Sequence, residues 1–307
     1  MPTNDIGLLN KNYGAPGRIA FREGLAGHPV ITLSEARGSC DIALYGAHVL
    51  AYCPDGQPPV LWLSGQAQKV RPGSAIRGGI PICWPWFGAH PDNAKLPIHG
   101  LARLRRWRLI STTYDSRQTS ARFQLTHDAE TLAIWPHPFK LELTVTVGDT
   151  LTLELTTLNK GDAPIVITQA LHTYLLVHDI AGVKVLGLEN VNYHDVSPAA
   201  KDDRQRGAVT IESETDRVYR KTTGDCTLVD PGNGRDIVIS KRGSATTVVW
   251  NPWIDKTRRL ADMDPDDYLR FVCIETANAE ADAISIEPSD EHTIAVTLKS
   301  VPAKTAG

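Results

Sequence analysis

Phe139-Lys140-Leu141-Glu142-Leu143-Thr144-Val145-Thr146-Val147, Gly148-Asp149-Thr150, then Leu151-Thr152-Leu153-Glu154-Leu155-Thr156 is the stretch whose reading decides the fold. Apolar side chains occupy every second position on both sides of the Gly-Asp step, and charged or hydroxyl residues fill the gaps. A period of two belongs to a strand with one buried face. Two such runs joined by a Gly-Asp turn predict a β-hairpin.

Outward from this hairpin, shorter runs repeat the pattern. Before it lie Val30–Leu33, Ile42–Leu44, Val60–Leu63, Trp107–Thr113 and Arg122–Thr126, and after it a long run, Ile165–Val177. The second half adds Val183–Leu188, Val209–Ser213, Thr227–Val229, Ile237–Ser240, Thr246–Trp250, Tyr268–Glu275 and Ile294–Lys299. Turn signals such as Pro54-Asp55-Gly56, Asn159-Lys160-Gly161-Asp162 and Pro231-Gly232-Asn233-Gly234 separate them. Lys256–Met263 is the one short helix the sequence predicts. Many strands without intervening helices predict an all-β, antiparallel sandwich or barrel rather than a βαβ fold. No repeat or linker divides the chain, so residues 1–307 read as a single domain.

The chain has 307 residues and a formal net charge of -3, which fits neither a nucleic-acid binder nor a strongly acidic protein. Its five cysteines (Cys40, Cys53, Cys83, Cys226, Cys273) form no CxxC pair and sit mostly in apolar runs. They read as buried reduced thiols, consistent with a cytoplasmic protein. The opening residues lack a basic stretch leading into an apolar core, and no run is long and apolar enough for a membrane helix. Gly232-Asn233-Gly234 lacks the third glycine of a dinucleotide loop and reads as a hairpin turn. The ten histidines are scattered without an HxH or HxxxH pair, so no metal and no cofactor is expected. Arg105, Arg106 and Arg108 read as a charged, solvated strand edge.

Four segments place costly residues where a plain sandwich has no need of them. In Arg77-Gly78-Gly79-Ile80-Pro81-Ile82-Cys83-Trp84-Pro85-Trp86-Phe87 an arginine precedes backbone that a ligand can approach, and aromatics follow. The plain reading is a buried aromatic plug. Pro97-Ile98-His99-Gly100-Leu101-Ala102-Arg103 reads as a loop leading into a strand, with Arg103 at its start. In Thr168-Gln169-Ala170-Leu171-His172-Thr173-Tyr174, alternation sets His172 with Ala170 and Tyr174, opposite Leu171 and Leu175. A lone strand histidine is more often structural than catalytic. Finally, Glu275 ends the face carrying Leu269, Phe271 and Cys273. A carboxylate there needs a partner, and desolvation raises its pKa toward that of a general base; the plain alternative is a strand-end ion pair.

Together these segments, with Thr215-Asp216-Arg217-Val218-Tyr219 and Val249-Trp250-Asn251-Pro252-Trp253, resemble the glucose-6-phosphate 1-epimerase (hexose-6-phosphate mutarotase) branch of the galactose mutarotase-like proteins. The matching order runs from about residue 30 to residue 300. The resemblance implies a β-supersandwich and a catalytic pair at His172 and Glu275. It also implies substrate contacts at Arg77, Arg103 and Asp216, with His99 beside the site. Ile98 stands where the family often has glutamine, which bears on sugar preference. The activity implied is interconversion of the α and β anomers of a hexose 6-phosphate. Glu275 would act as base and protonated His172 as acid on opposite sides of the ring, with the arginines holding the phosphate. Asp216 would bind sugar hydroxyls, or else pair with Arg217. The competing readings are an aldose 1-epimerase acting on free sugars and a non-catalytic sugar-phosphate-binding regulator. A monomer is expected, with no membrane partner.

Overall fold

The computed structural model describes residues 4–69, 71, 73–197 and 201–303. The decisive hairpin forms as its alternation requires. Strands Phe139–Val147 and Leu151–Asn159 pair antiparallel, from Phe139 opposite Asn159 to Val147 opposite Leu151. Phe139, Leu141, Leu143, Val145, Val147, Leu151, Leu153 and Leu155 are all fully buried. Each such side chain contributes roughly 1.5–3 kcal/mol on leaving water, so this face alone drives much of the local collapse.

The hairpin sits inside an eight-stranded sheet ordered Lys184–Leu186, Cys226–Asp230, Arg235–Arg242, Glu291–Pro302, Leu151–Asn159, Phe139–Val147, Thr119–Thr126, Arg108–Tyr114. A second eight-stranded sheet carries the strands Lys201–Arg204, Asn192–Asp195, Thr215–Arg220, Thr246–Asn251, Phe271–Asn278, Gln169–Leu171 and Ile82–Cys83, with Tyr174–Leu176 also paired to Phe271–Asn278. A four-stranded meander covers Ile19–Glu23, Pro29–Glu35, Gly38–Ala43 and His48–Pro54, and Ile165–Ile167 pairs with Ile284–Ile286. Strand pairing in all four sheets is antiparallel. Side chains from the two large sheets and the meander meet in one apolar cluster, which includes Leu143, Leu153, Val272, Ile274, Val249, Ile31 and Ile42.

In the second sheet, strand parity separates core from site. Val272, Ile274, Leu171 and Leu175 face the main core. Phe271, Cys273, Tyr174 and Trp250 join Trp62 in a separate cluster on the other face. Leu269 departs from the expected alternation: it lies in a 3₁₀ turn, Asp267–Leu269, packs on the main core, and the strand begins only at Phe271.

Several other expectations are revised. The run Ile165–Val177 is not one strand but three, Ile165–Ile167, Gln169–Leu171 and Tyr174–Leu176. It breaks where the amides of Thr168 and His172 turn to the carbonyls of Pro85 and Pro81. Val60–Leu63 and Val209–Ser213 supply only isolated bridges. The predicted helix lies a few residues earlier, at Trp253–Arg259, where the Asn251 side-chain oxygen accepts from the Trp253 amide. Two further helices form, Ile6–Tyr13 and Ala129–Ile134, each started by an aspartate that caps a backbone amide. Arg103 does not open a strand: it lies in a 3₁₀ turn, Ala102–Leu104, and the strand starts at Arg108. That strand is a sheet edge, and Arg108 is exposed on it. Pro231–Asn233 turns the hairpin between Cys226–Asp230 and Arg235–Arg242, as read from the glycines.

Candidate active site

Glu275 stands on the site face of the central strand and is 2% exposed. His172, 6% exposed, lies in the break between Gln169–Leu171 and Tyr174–Leu176. His172 Nε2 and Glu275 Oε1 are 3.3 Å apart. Glu275 Oε2 and His172 Nδ1 are buried with no hydrogen-bond partner. Leaving two such atoms unpaired is costly, so the arrangement suits a polar ligand that supplies the missing partners.

Burial dominates the ionisation of the pair. It pushes Glu275 well above the usual carboxylate range; the Asp216 charge adds to the rise and Arg103 opposes it. His172 is pushed well below the usual imidazole range by burial, then by His99, Arg103 and Arg77. Both shifts favour the uncharged form of each group.

Around the pair, each wall has an identifiable support. The Tyr174 ring stacks on His172 with centroids 4.7 Å apart and an interplanar angle of 8°. Trp250 meets the histidine edge-on at 5.9 Å. Arg77 Nη1 donates to the Tyr174 hydroxyl at 3.0 Å, and Arg77 Nε to Asp262 Oδ2 at 3.0 Å. An Asp262–Arg77–Tyr174–His172 chain results. Burial opposes the Arg77 charge, but Tyr174 and Asp262 more than offset it and raise its pKa.

The backbone after Arg77 explains the paired glycines. Gly79 has φ +64°, and a Cβ there would meet Val49 O at 2.2 Å. His48, buried beneath, bonds Gly78 O through Nε2 at 2.7 Å. Only glycine fits so close to the neighbouring chain.

His99 stands on the opposite wall, with its ring edge-on to His172 at 5.6 Å and against Phe87 at 5.0 Å. The Gly88 amide donates to His99 Nδ1 at 3.0 Å, which leaves the proton on Nε2. Burial, Arg103 and Arg77 push its pKa down to about 3, so at neutral pH His99 is an uncharged donor. Gly100 follows with φ +74°, where a Cβ would meet Trp84 O at 2.0 Å.

Asp216 and Lys256 close the site. Lys256 Nζ lies 3.6 Å from Asp216 Oδ2, 2.9 Å from Glu214 Oε1 and 5.9 Å from the Trp250 ring centroid. Asp216 does not pair with Arg217, which reaches Asp195 at 3.7 Å on the other side of the strand. Burial raises the pKa of Asp216, and Lys256 works against the rise. Arg103 Nη2 donates to Ile98 O at 2.8 Å, while its buried Nε has no partner. The Arg103 charge helps lower the pKa of His99 and His172 and opposes the rise of Glu275.

His172, Glu275, His99, Arg77, Arg103 and Asp216 are therefore linked by direct contacts or mutual electrostatic influence. His172 and Glu275, read in the sequence as an acid and a base on opposite sides of a sugar ring, are in direct contact. Among the described residues, no group of three or more His, Cys, Asp and Glu side chains could hold a metal. Sequence reading missed Tyr174 as a support, Lys256 as the Asp216 partner and Asp262 as the Arg77 partner. Tyr174 and Trp250 lie within the segments already singled out, whereas no local pattern marks Asp262.

An aldose 1-epimerase family profile matches residues 29–299. A protein of Escherichia coli K12, provisionally named glucose-6-phosphate 1-epimerase, is 38% identical over 251 residues, covering 81% of this chain and 83% of its own. A Cenchrus ciliaris protein with the same provisional name is 35% identical over 283 residues, covering 89% and 84% of the two chains. The crystal structure of a provisionally assigned mutarotase from Salmonella typhimurium superposes with a TM-score of 0.88 at 32% identity, over 96% of this chain and 99% of that one.

Proposed function

The chain belongs to the aldose 1-epimerase family, and from that premise we propose that it interconverts the α and β anomers of a hexose 6-phosphate through His172 and Glu275. The observation that carries the reading is the buried 3.3 Å contact between these two groups, with Glu275 Oε2 left unpartnered.

Ring opening takes a proton from the C1 hydroxyl, breaks the C1–O5 bond with its electron pair going to O5, and protonates O5. The hydroxyl oxygen and O5 are both bonded to C1, so one touching acid–base pair spans them. Glu275 takes the hydroxyl proton and His172 gives one to O5; rotation about C1–C2 and the reverse transfers close the other anomer. Burial favours the uncharged form of each group, so substrate contacts must favour the reactive arrangement, ionised Glu275 beside protonated His172. The pair has one proton in either arrangement, which is the count the reaction needs. Acid and base each supply roughly 10²–10⁴-fold. His99 Nε2–H and Asp216 suit sugar hydroxyls, and the guanidinium groups at the Arg77–Arg103 end suit the phosphate.

In this reading the sheets form one β-supersandwich domain acting as a cytoplasmic monomer. All five cysteines are free thiols, which fits a reducing compartment. The test follows pure α-glucose 6-phosphate and pure α-glucose to anomeric equilibrium by NMR. Faster equilibration of the phosphate ester supports the proposal. Acceleration of free glucose alone would support the free-sugar epimerase, and acceleration of neither would support a binding protein.

A further inference from the structure

We infer that Lys256 is a positioning residue of the reaction: its ammonium, braced by Glu214, holds the Asp216 carboxylate as an ionised acceptor for a sugar hydroxyl. The inference rests on the mutarotase reading and adds a residue to it.

Strand register sets Asp216 near the acid–base pair. Asp216 lies opposite Trp250, which lies opposite Cys273, and the next row on the same face runs Val218, Val248, Glu275. Lys256 reaches this face from the helix Trp253–Arg259. Asn251 fixes where that helix starts: its side chain accepts from the Trp253 amide and donates to Tyr268 O and Phe271 O, each at 2.9 Å. Trp253 takes φ +55°, a left-handed conformation that a bulky residue adopts only where its surroundings impose it. The chain therefore turns just after Trp250 and sends Lys256 back over that ring, 5.9 Å from its centroid.

The ammonium meets two carboxylates there, Glu214 Oε1 at 2.9 Å and Asp216 Oδ2 at 3.6 Å. The asymmetry divides their roles. Glu214 makes the close hydrogen bond and fixes the ammonium in place. The longer contact balances the Asp216 charge and leaves the carboxylate lone pairs for sugar hydroxyls. Glu214 before its strand, Asp195 on the neighbouring strand and Glu275 on the central strand all set acidic groups toward Asp216. Asp195 is itself paired with Arg217. Among the described residues, Lys256 is the one cation within ion-pair distance of Asp216. Burial makes Asp216 hard to ionise, and Lys256 opposes that effect. An ion pair with a lysine 32% exposed adds little to stability. Its consequence is the charge it maintains on the site wall.

The test compares wild type, Lys256→Met and Lys256→Arg on glucose, on the acid and alkaline sides of neutrality. Methionine keeps an unbranched apolar stem on Trp250 and removes the charge. Relative to wild type at the same pH, kcat/KM of Lys256→Met should fall about tenfold on the acid side, roughly the difference between a charged and a neutral acceptor. The loss should lie in KM and should recover on the alkaline side, where Asp216 ionises unaided. Lys256→Arg, which keeps the charge, should retain wild-type values throughout. In an Asp216→Asn background, Lys256→Met should cost nothing further. A loss equal at every pH, or one that adds in full to Asp216→Asn, overturns the inference. The Asp216 carboxyl carbon signal in NMR, identified by its absence from Asp216→Asn, separates this from the functional reading. If wild type accelerates neither sugar, the mutarotase reading fails, while an Asp216 titration moved to higher pH in Lys256→Met still upholds the hold of Lys256 on Asp216. An unmoved titration rejects it.

Discussion

Tyr174→Phe removes one oxygen and keeps the ring, so it separates the stack on His172 from the anchor that holds the stack in place. The lost bond is the 3.0 Å contact from Arg77 Nη1, a hydrogen bond with a charged donor. Such bonds contribute about 1.5–3 kcal/mol. Arg77 keeps Asp262 and its side chain is 22% exposed, so water can reach the freed donor and the lower end of the range applies. A loss of about 1.5 kcal/mol lowers Tm by about 2 °C in a chain of this size. The catalytic effect is on orientation: His172 retains the ring face and the Trp250 edge but loses the fixed tilt of its platform. We expect kcat to fall about tenfold, a fraction of the roughly 10²–10⁴ that a placed acid supplies, while KM changes little. Polarimetry on glucose gives kcat and KM, and a thermal melt gives Tm. An unchanged kcat with the expected Tm loss would show that Tyr174 serves stability only, and a large rise in KM alone would make it a substrate contact.

The pH–rate profile on glucose, which has no titrating phosphate, should be bell-shaped because only the one-proton pair is active. Its acid limb should lie well below the ordinary imidazole pKa, and Asp216→Asn should move the alkaline limb toward lower pH, since the Asp216 charge helps raise Glu275. His48, held down to about 4 by burial, binds fewer protons folded than unfolded between about pH 6.5 and 4. Stability should therefore drop as pH falls through that window, and urea titrations of His48→Gln should show a weaker decline. Gly79→Ala should destabilise the Arg77 loop and reduce soluble, active protein, since its Cβ meets Val49 O; full activity at wild-type Tm would contradict that geometry.

Much of the fold was legible because strand alternation is a local signal. The central hairpin, and the separation of Phe271 and Cys273 from Val272 and Ile274, follow from counting by two. Counting by two also set His172 and Glu275 on the side of the sheet where they meet. It could not show where Ile165–Val177 breaks, because the carbonyls that capture Thr168 and His172 belong to Pro85 and Pro81, far away in sequence. The Asp262–Arg77 bond spans 185 residues and leaves no local trace. Ile6–Tyr13 was missed because its single turn of buried contact, Leu9, is too short to set a helical period. The alternative that paired Asp216 with Arg217 rested only on their adjacency; neighbouring strand residues point to opposite faces, and Asp216 lies by Lys256 instead.

The central claim is tested most directly by Glu275→Gln, which keeps the shape of the pair and abolishes its capacity to exchange a proton. The measurement is the rate at which pure α-glucose 6-phosphate reaches anomeric equilibrium by NMR, for wild type and variant at equal concentration. The account predicts strong acceleration by wild type and a loss of at least about 100-fold in the variant, with glucose 6-phosphate still bound. Wild-type acceleration retained by Glu275→Gln would contradict it.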